Sequence, residues 1–134
     1  GMGMEHGPGH LFRAILEADG YAVRKIAETG KACGIAFDQV IALGGGSKSP
    51  LWLQMKADIM HIIHYKSSVE EATIIGSGIL LLLAGGVKLE EIPVIPVEEE
   101  FPVQEKEAET YDAYYRKYME IHDKVAEIYT MRCR

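Results

Sequence analysis

The chain has 134 residues, 48% of them apolar, which suits one compact domain with a core and not two. Its formal charge is -6 and its pI is near 5.3. No run of Lys and Arg could neutralise a phosphate backbone, so nucleic acid is excluded as an expected partner.

Cys33 and Cys133 lie far apart, and neither belongs to a metal-ligand spacing or a dithiol motif. Gly1 before Met2 reads as a cleavage scar, and no charged segment followed by an apolar stretch opens the chain. A reducing cytoplasm is the expected location. The most apolar stretch, Ala72 to Ala84, is broken by Gly76 and Gly78 and falls short of the ~18 residues of a membrane span. It is expected to be a buried helix, and no membrane association is expected.

In chain order, residues 1–9 are Gly-rich and aperiodic and are expected to be flexible, with residues 10–134 forming the domain. From His10, the residues Leu11, Ile15, Ala18, Ala22, Ile26 and Thr29 recur at helical spacing, and Gly30 and Gly34 supply a stop. Gln39 to Leu43 is a run of β-formers that ends in Gly44-Gly45-Gly46, as a buried strand feeding a tight loop would. Ser49-Pro50 then opens a helix: serine accepts from a free first-turn N–H, and proline at the first position loses no helical hydrogen bond. Leu51, Trp52, Met55 and Ile59 give that helix an apolar face.

His61 to Tyr65 is the next strand expected, parallel to the first through a right-handed βαβ crossover. Ser68 and Glu71 have capping-box spacing ahead of the apolar helix, which Gly85-Gly86 closes. Pro93, Pro96 and Pro102 predict a surface linker from Glu91 to Pro102. A final helix carries Tyr111, Tyr114, Tyr115, Tyr118, Ile121, Val125, Ile128 and Tyr129 on a side that must dock on something.

The chemistry concentrates in strand, Gly44-Gly45-Gly46-Ser47-Lys48-Ser49-Pro50, helix. Glycines let backbone approach a ligand, and the helix start offers unpaired N–H groups to an anion or polar ring. The same residues suit an ordinary tight turn, and on their own they leave both readings open. Walker A fails because Ser47 precedes Lys48, and the dinucleotide fingerprint fails because Ser49 stands where its third glycine belongs. His61 and His64, three apart on a strand, would point to opposite faces with no accompanying carboxylate or Cys cluster, so no metal site is expected. The tyrosines of the last helix read as core or interface, and Glu98-Glu99-Glu100 as a solvated surface. No catalytic constellation emerges.

The segment Gly44 to Ile59, GGGSKSPLWLQMKADI, closely resembles the adenosine-loop segment of xylulokinase-type FGGY carbohydrate kinases. His10 to Glu17 resembles the family's upstream helix, Glu71 to Ile79 its downstream one, and Tyr111 to Tyr129 its closing helix. The chain departs from the family at Ala18-Asp19, where a Gly usually follows the Glu, and at Ile62-Ile63, where a Gly-Pro-like turn is usual.

The resemblance implies an α/β fold, the later part of a ribonuclease-H-like, actin-like ATPase domain. Two parallel strands and about four helices are expected, with the domain's first three strands missing. It implies ATP or ADP with Mg²⁺ as cofactor in the complete kinase, whose sugar pocket and catalytic base lie in the absent first domain, so that the isolated chain is inactive. By position it implies Gly44, Gly45 and Gly46 for backbone approach to adenosine and the inner phosphate. Ser49 would lie near the adenine, Ser47 within the same loop, and Gln54 would support the loop. The half-built sheet leaves a strand edge unpaired, from which a homo-oligomer, or pairing with the missing kinase domain, is expected. The alternative is a scaffold kept for dimerisation or subunit binding with no nucleotide role.

Overall fold

The computed structural model describes residues 2–69 and 71–132, the last three of these as backbone alone. The elements run α1 (Pro8–Ala32), β1 (Gln39–Ala42), α2 (Pro50–Met60), β2 (Ile63–Ser67), α3 (Ala72–Ala84), β3 (Val97–Phe101) and α4 (Glu105–Arg132), with short 3₁₀ turns at Gly45–Lys48 and Leu89–Glu91. Cys133 lies outside the described residues.

Helix α1 begins at Pro8, two residues before the expected start, with proline at a first-turn position where its missing N–H costs nothing. It ends as the glycines predict. The N–H of Gly34 donates to the Lys31 carbonyl at 3.0 Å and that of Ile35 to the Gly30 carbonyl at 2.9 Å, which satisfies two carbonyls the helix leaves over.

Strands β1 and β2 pair in parallel, Gln39 opposite Ile63 through Ala42 opposite Lys66, as the βαβ reading requires. The strand after α2 starts two residues later than expected, because His61 takes a left-handed conformation (φ 55°) and closes α2. A third strand corrects the linker reading. Val97–Phe101 pairs antiparallel with β2, giving the order β1-β2-β3, so the sheet has three strands and not two. Its prolines only bracket it: Pro96 precedes the strand and Pro102 follows it, so no ladder donor is lost within it. Glu98, Glu99 and Glu100 are exposed along this outer strand, and Lys66 lies 3.8 Å from Glu98 and 4.0 Å from Glu99.

Helix α2 is the centre of the molecule. Leu53 and Ala57 face the sheet, where they cluster with Phe101 and Ala42. Met55 and Ile59 face the other way and cluster with Leu16 and Tyr21 of α1 and Tyr111 and Tyr115 of α4. Sheet, α2, and then α1 with α4 are thus three layers. On the side of the last helix expected to dock, Tyr111 and Tyr115 supply core and Tyr118 packs beside them, whereas Tyr114, Ile121, Val125, Ile128 and Tyr129 are exposed. On α1 the stripe that faces inward is Leu16, Gly20 and Tyr21, whereas Leu11, Ile15 and Ile26 are exposed.

Two further expectations are corrected. Helix α3, the most apolar of all, has no buried residue among those described, with Ile74 67% and Leu81 75% exposed. The capping box does not form either. Strand β2 runs to Ser67, whose Oγ accepts from the Val69 N–H at 3.1 Å, so the chain reaches α3 only at Glu71, which caps without a side-chain bond. No helix among the described residues is long and apolar enough to cross a membrane.

Candidate nucleotide loop and its family

The loop leaves the C-terminal end of β1, the end at which open α/β sheets hold their ligands. Gly44 opens it at φ 74°, ψ -160°, a backbone region that a side chain makes costly, and its N–H points to the Val69 carbonyl after β2 at 3.4 Å. The loop is therefore tied to the ends of both parallel strands. Gly45 to Lys48 then wind a single 3₁₀ turn.

Ser47 is buried inside this turn. Its Oγ donates to the Gly44 carbonyl at 2.7 Å and its N–H reaches the same oxygen at 3.1 Å, so the hydroxyl closes the loop on itself. Ser49 sits at the N-cap of α2 and its Oγ accepts from the Trp52 N–H at 3.3 Å. A Cβ added to Gly45 would meet nothing within 4 Å, which leaves that stretch of backbone open to a ligand beside the helix start. Of the six sequence-predicted residues, the structure thus gathers Gly44, Gly45, Gly46, Ser47 and Ser49.

Gln54 is elsewhere engaged. Its Nε2 donates to Asp58 Oδ1 at 2.9 Å and to the Pro102 carbonyl at 2.8 Å, so it joins α2 to the chain between β3 and α4 and does not support the loop. Asp58, buried at 3% exposure, also accepts from the Gln104 N–H at 2.7 Å just ahead of α4. Burial pushes its carboxyl up from the ordinary value, against the lowering effect of those two hydrogen bonds. The sequence holds no direct signal for this pairing, since 46 residues separate Asp58 from Gln104.

The histidines do not share a strand. His61 ends α2 and its Nε2 is 2.9 Å from Asp112 Oδ1, while His64 in β2 is buried with Nδ1 2.8 Å from the Ile62 carbonyl. Burial holds the His64 imidazole below its usual pKa, so at neutral pH it is uncharged and Nδ1–H donates. No group of three or more His, Cys, Asp or Glu able to hold a metal occurs among the described residues.

A cavity of about 500 Å³ lies at the opposite end of the strands, between the end of α1 and the end of α2, with Arg24, Phe37, Met60 and His61 in its wall. Three of its polar side chains, Arg24, Glu28 and His61, are already engaged. Arg24 bonds Asp112, Glu28 and the Ile59 carbonyl, and Asp112 also takes His61.

Comparison with known proteins decides the family. Residues 1–85, more than half of the chain, match the C-terminal domain of the FGGY family of carbohydrate kinases. The chain belongs to that family. It is 33% identical over 118 residues to the xylulose kinase of Escherichia coli K12, an alignment covering 85% of this chain and 24% of that protein. To the ribulokinase of Mycolicibacterium smegmatis it is 27% identical over 118 residues, 84% of this chain and 21% of that one.

The solved xylulose kinase of Rhodospirillum rubrum superposes with a TM-score of 0.81 at 23% identity, over 97% of this chain and 27% of that one, and gives the fold as that of the actin-like ATPases. This FGGY chain spans about a quarter of the length of the relatives it matches. Trp52, which the sequence reading placed only on an apolar face, turns out to stand directly against the glycine loop.

Proposed function

We propose that this chain is the adenine-nucleotide side of an ATP-dependent, xylulose-kinase-like sugar kinase. The observation that carries the reading is the Gly44–Ser49 loop at the carboxyl end of β1, with open space over Gly45 and the capped start of α2 beside it. Backbone at Gly44, Gly45 and Gly46 would approach adenosine and the inner phosphate, with Ser49 near the ring. Ser47 would act by closing the turn. ATP with Mg²⁺ would supply the γ-phosphoryl group, and the sugar would be met only by the complete kinase.

Phosphoryl transfer needs nucleophile, γ-phosphate and metal aligned together, and the chain spans only a quarter of its relatives. The isolated chain therefore binds nucleotide weakly and turns nothing over. Its partners are the remainder of a kinase or further copies of itself, and its setting is the cytoplasm. A second reading, a scaffold that binds another subunit and has no nucleotide role, draws on the uncovered apolar helix α3. Calorimetric titration of ADP and ATP with Mg²⁺ into the purified chain separates them. Saturable heats, even at millimolar strength, are expected; silence at several millimolar would leave the scaffold reading standing.

A further inference from the structure

Trp52 touches the loop at two points. A Cβ built on Gly46 would lie 3.3 Å from Trp52 Cζ3 and 3.9 Å from Cε3 and Cη2, so the benzo edge of the indole occupies the space where a side chain at Gly46 would begin. The main-chain N–H of the same residue donates to Ser49 Oγ at 3.3 Å.

The ring in turn is held from the helical layer. It packs against the cluster of Leu16, Tyr21, Met55 and Ile59, and Lys56 Nζ stands 3.9 Å from its centroid, a cation–π contact. That ammonium is 2.9 Å from Asp19 Oδ2 on α1. The indole Nε1–H is enclosed with no acceptor among the described residues, so packing and the ammonium, not a polar bond from the ring, fix its place.

We propose that Trp52 is the positioning residue of the glycine loop: its ring sets where the backbone of Gly45 to Ser47 runs, and Lys56 on Asp19 ties that ring to α1. It acts through the loop backbone and not on a ligand. Its consequence for nucleotide binding rests on the function proposed above, but the bracing of the loop does not.

Hydrogen exchange on the ligand-free chain tests the brace directly. In Trp52→Ala, amides of Gly45 to Lys48 are expected to exchange about tenfold or more faster, while β2 and α4 keep wild-type protection and Trp52→Phe, which keeps a ring there, stays near wild type. Unchanged loop exchange, or an increase spread evenly over the chain, would overturn the proposal. Should the alanine variant fail to fold, Gly46→Ala reads the same contact from the loop side. Its methyl, 3.3 Å from the ring, should move the emission of the lone tryptophan, and unmoved emission with unmoved exchange counts against the brace.

ADP titration adds the functional arm. Binding weakened about tenfold (~1.4 kcal/mol) in Trp52→Ala and restored in Trp52→Phe supports positioning, and equal affinities refute it. If wild type itself binds no ADP, the nucleotide reading falls and the exchange data alone decide the brace.

Discussion

Gly44 and Gly45 are adjacent and chemically identical, yet they do different things. Gly44 has φ 74° with ψ -160°, a region almost reserved for glycine, so any side chain there strains the backbone by roughly 1–3 kcal/mol. Gly45 has no such φ and open space where a Cβ would go. Gly45→Val should therefore leave stability within about 0.5 kcal/mol while filling the approach to the loop. We expect thermal melting close to wild type and loss of ADP binding by calorimetry; retained affinity would remove Gly45 from the site.

Asp58 gives a prediction of a different kind. Its raised pKa means the folded chain holds this proton more tightly than the unfolded one. Stability from that source is complete below the ordinary carboxylate value of 3.8 and is lost as pH rises through the raised value. Asn can accept the same bonds from Gln54 and Gln104 with no charge to bury. The melting temperature of Asp58→Asn relative to wild type should thus climb between about pH 3 and about pH 7. A flat or falling difference would show that the carboxylate is better solvated than its 3% exposure implies.

At the scale of elements, what could be read from sequence is whatever local chemistry specifies. The Ser49-Pro50 start of α2, the Gly34 stop of α1 and the glycine end of β1 are such cases, because caps and turns are local events. Two strands were harder. The ladder of β2 begins at Ile63 only because His61 adopts a left-handed conformation, a choice nothing in HIIHY announces. Strand β3 was masked by its prolines, which flank it and never enter it, and by three glutamates that fit an outer strand as well as a loop.

Burial was the least legible property, since it depends on neighbours distant in sequence. Helix α1 carries apolar residues on two sides, and periodicity alone does not say which side meets α2. In the candidate site, the loop glycines and Ser49 could be read from their pattern. The tie of Gln54 to Pro102, 48 residues away, and the contact of Trp52 with Gly46 exist only in three dimensions.

The whole molecule is a layered body with too few layers for its apolar surface. Val40, His64 and Phe101 share the side of the sheet that α2 covers; Ile41, Tyr65 and Glu100 share the other, where Ile41 is 38% exposed. A parallel pair such as β1 and β2 is normally covered on both faces, and the free edge of β1 adds unpaired backbone groups. Helix α3 adds Ile74, Leu80 and Leu81, each 67% exposed or more. Covering one such side chain is worth roughly 2 kcal/mol. Several together exceed what a soluble monomer ordinarily leaves in water.

We therefore expect the isolated chain to self-associate at micromolar concentration, with sedimentation velocity showing a dimer or larger species that dissociates on dilution. Leu81→Glu probes the cause, because Leu81 is 75% exposed and lies on a helix with no buried residue, so the change should leave circular dichroism untouched. If α3 supplies the contact, the variant shifts to monomer. If it stays associated, the β1 edge or the bare sheet face holds the copies together, and a wild-type chain that sediments as a monomer throughout would mean these surfaces tolerate water without a partner.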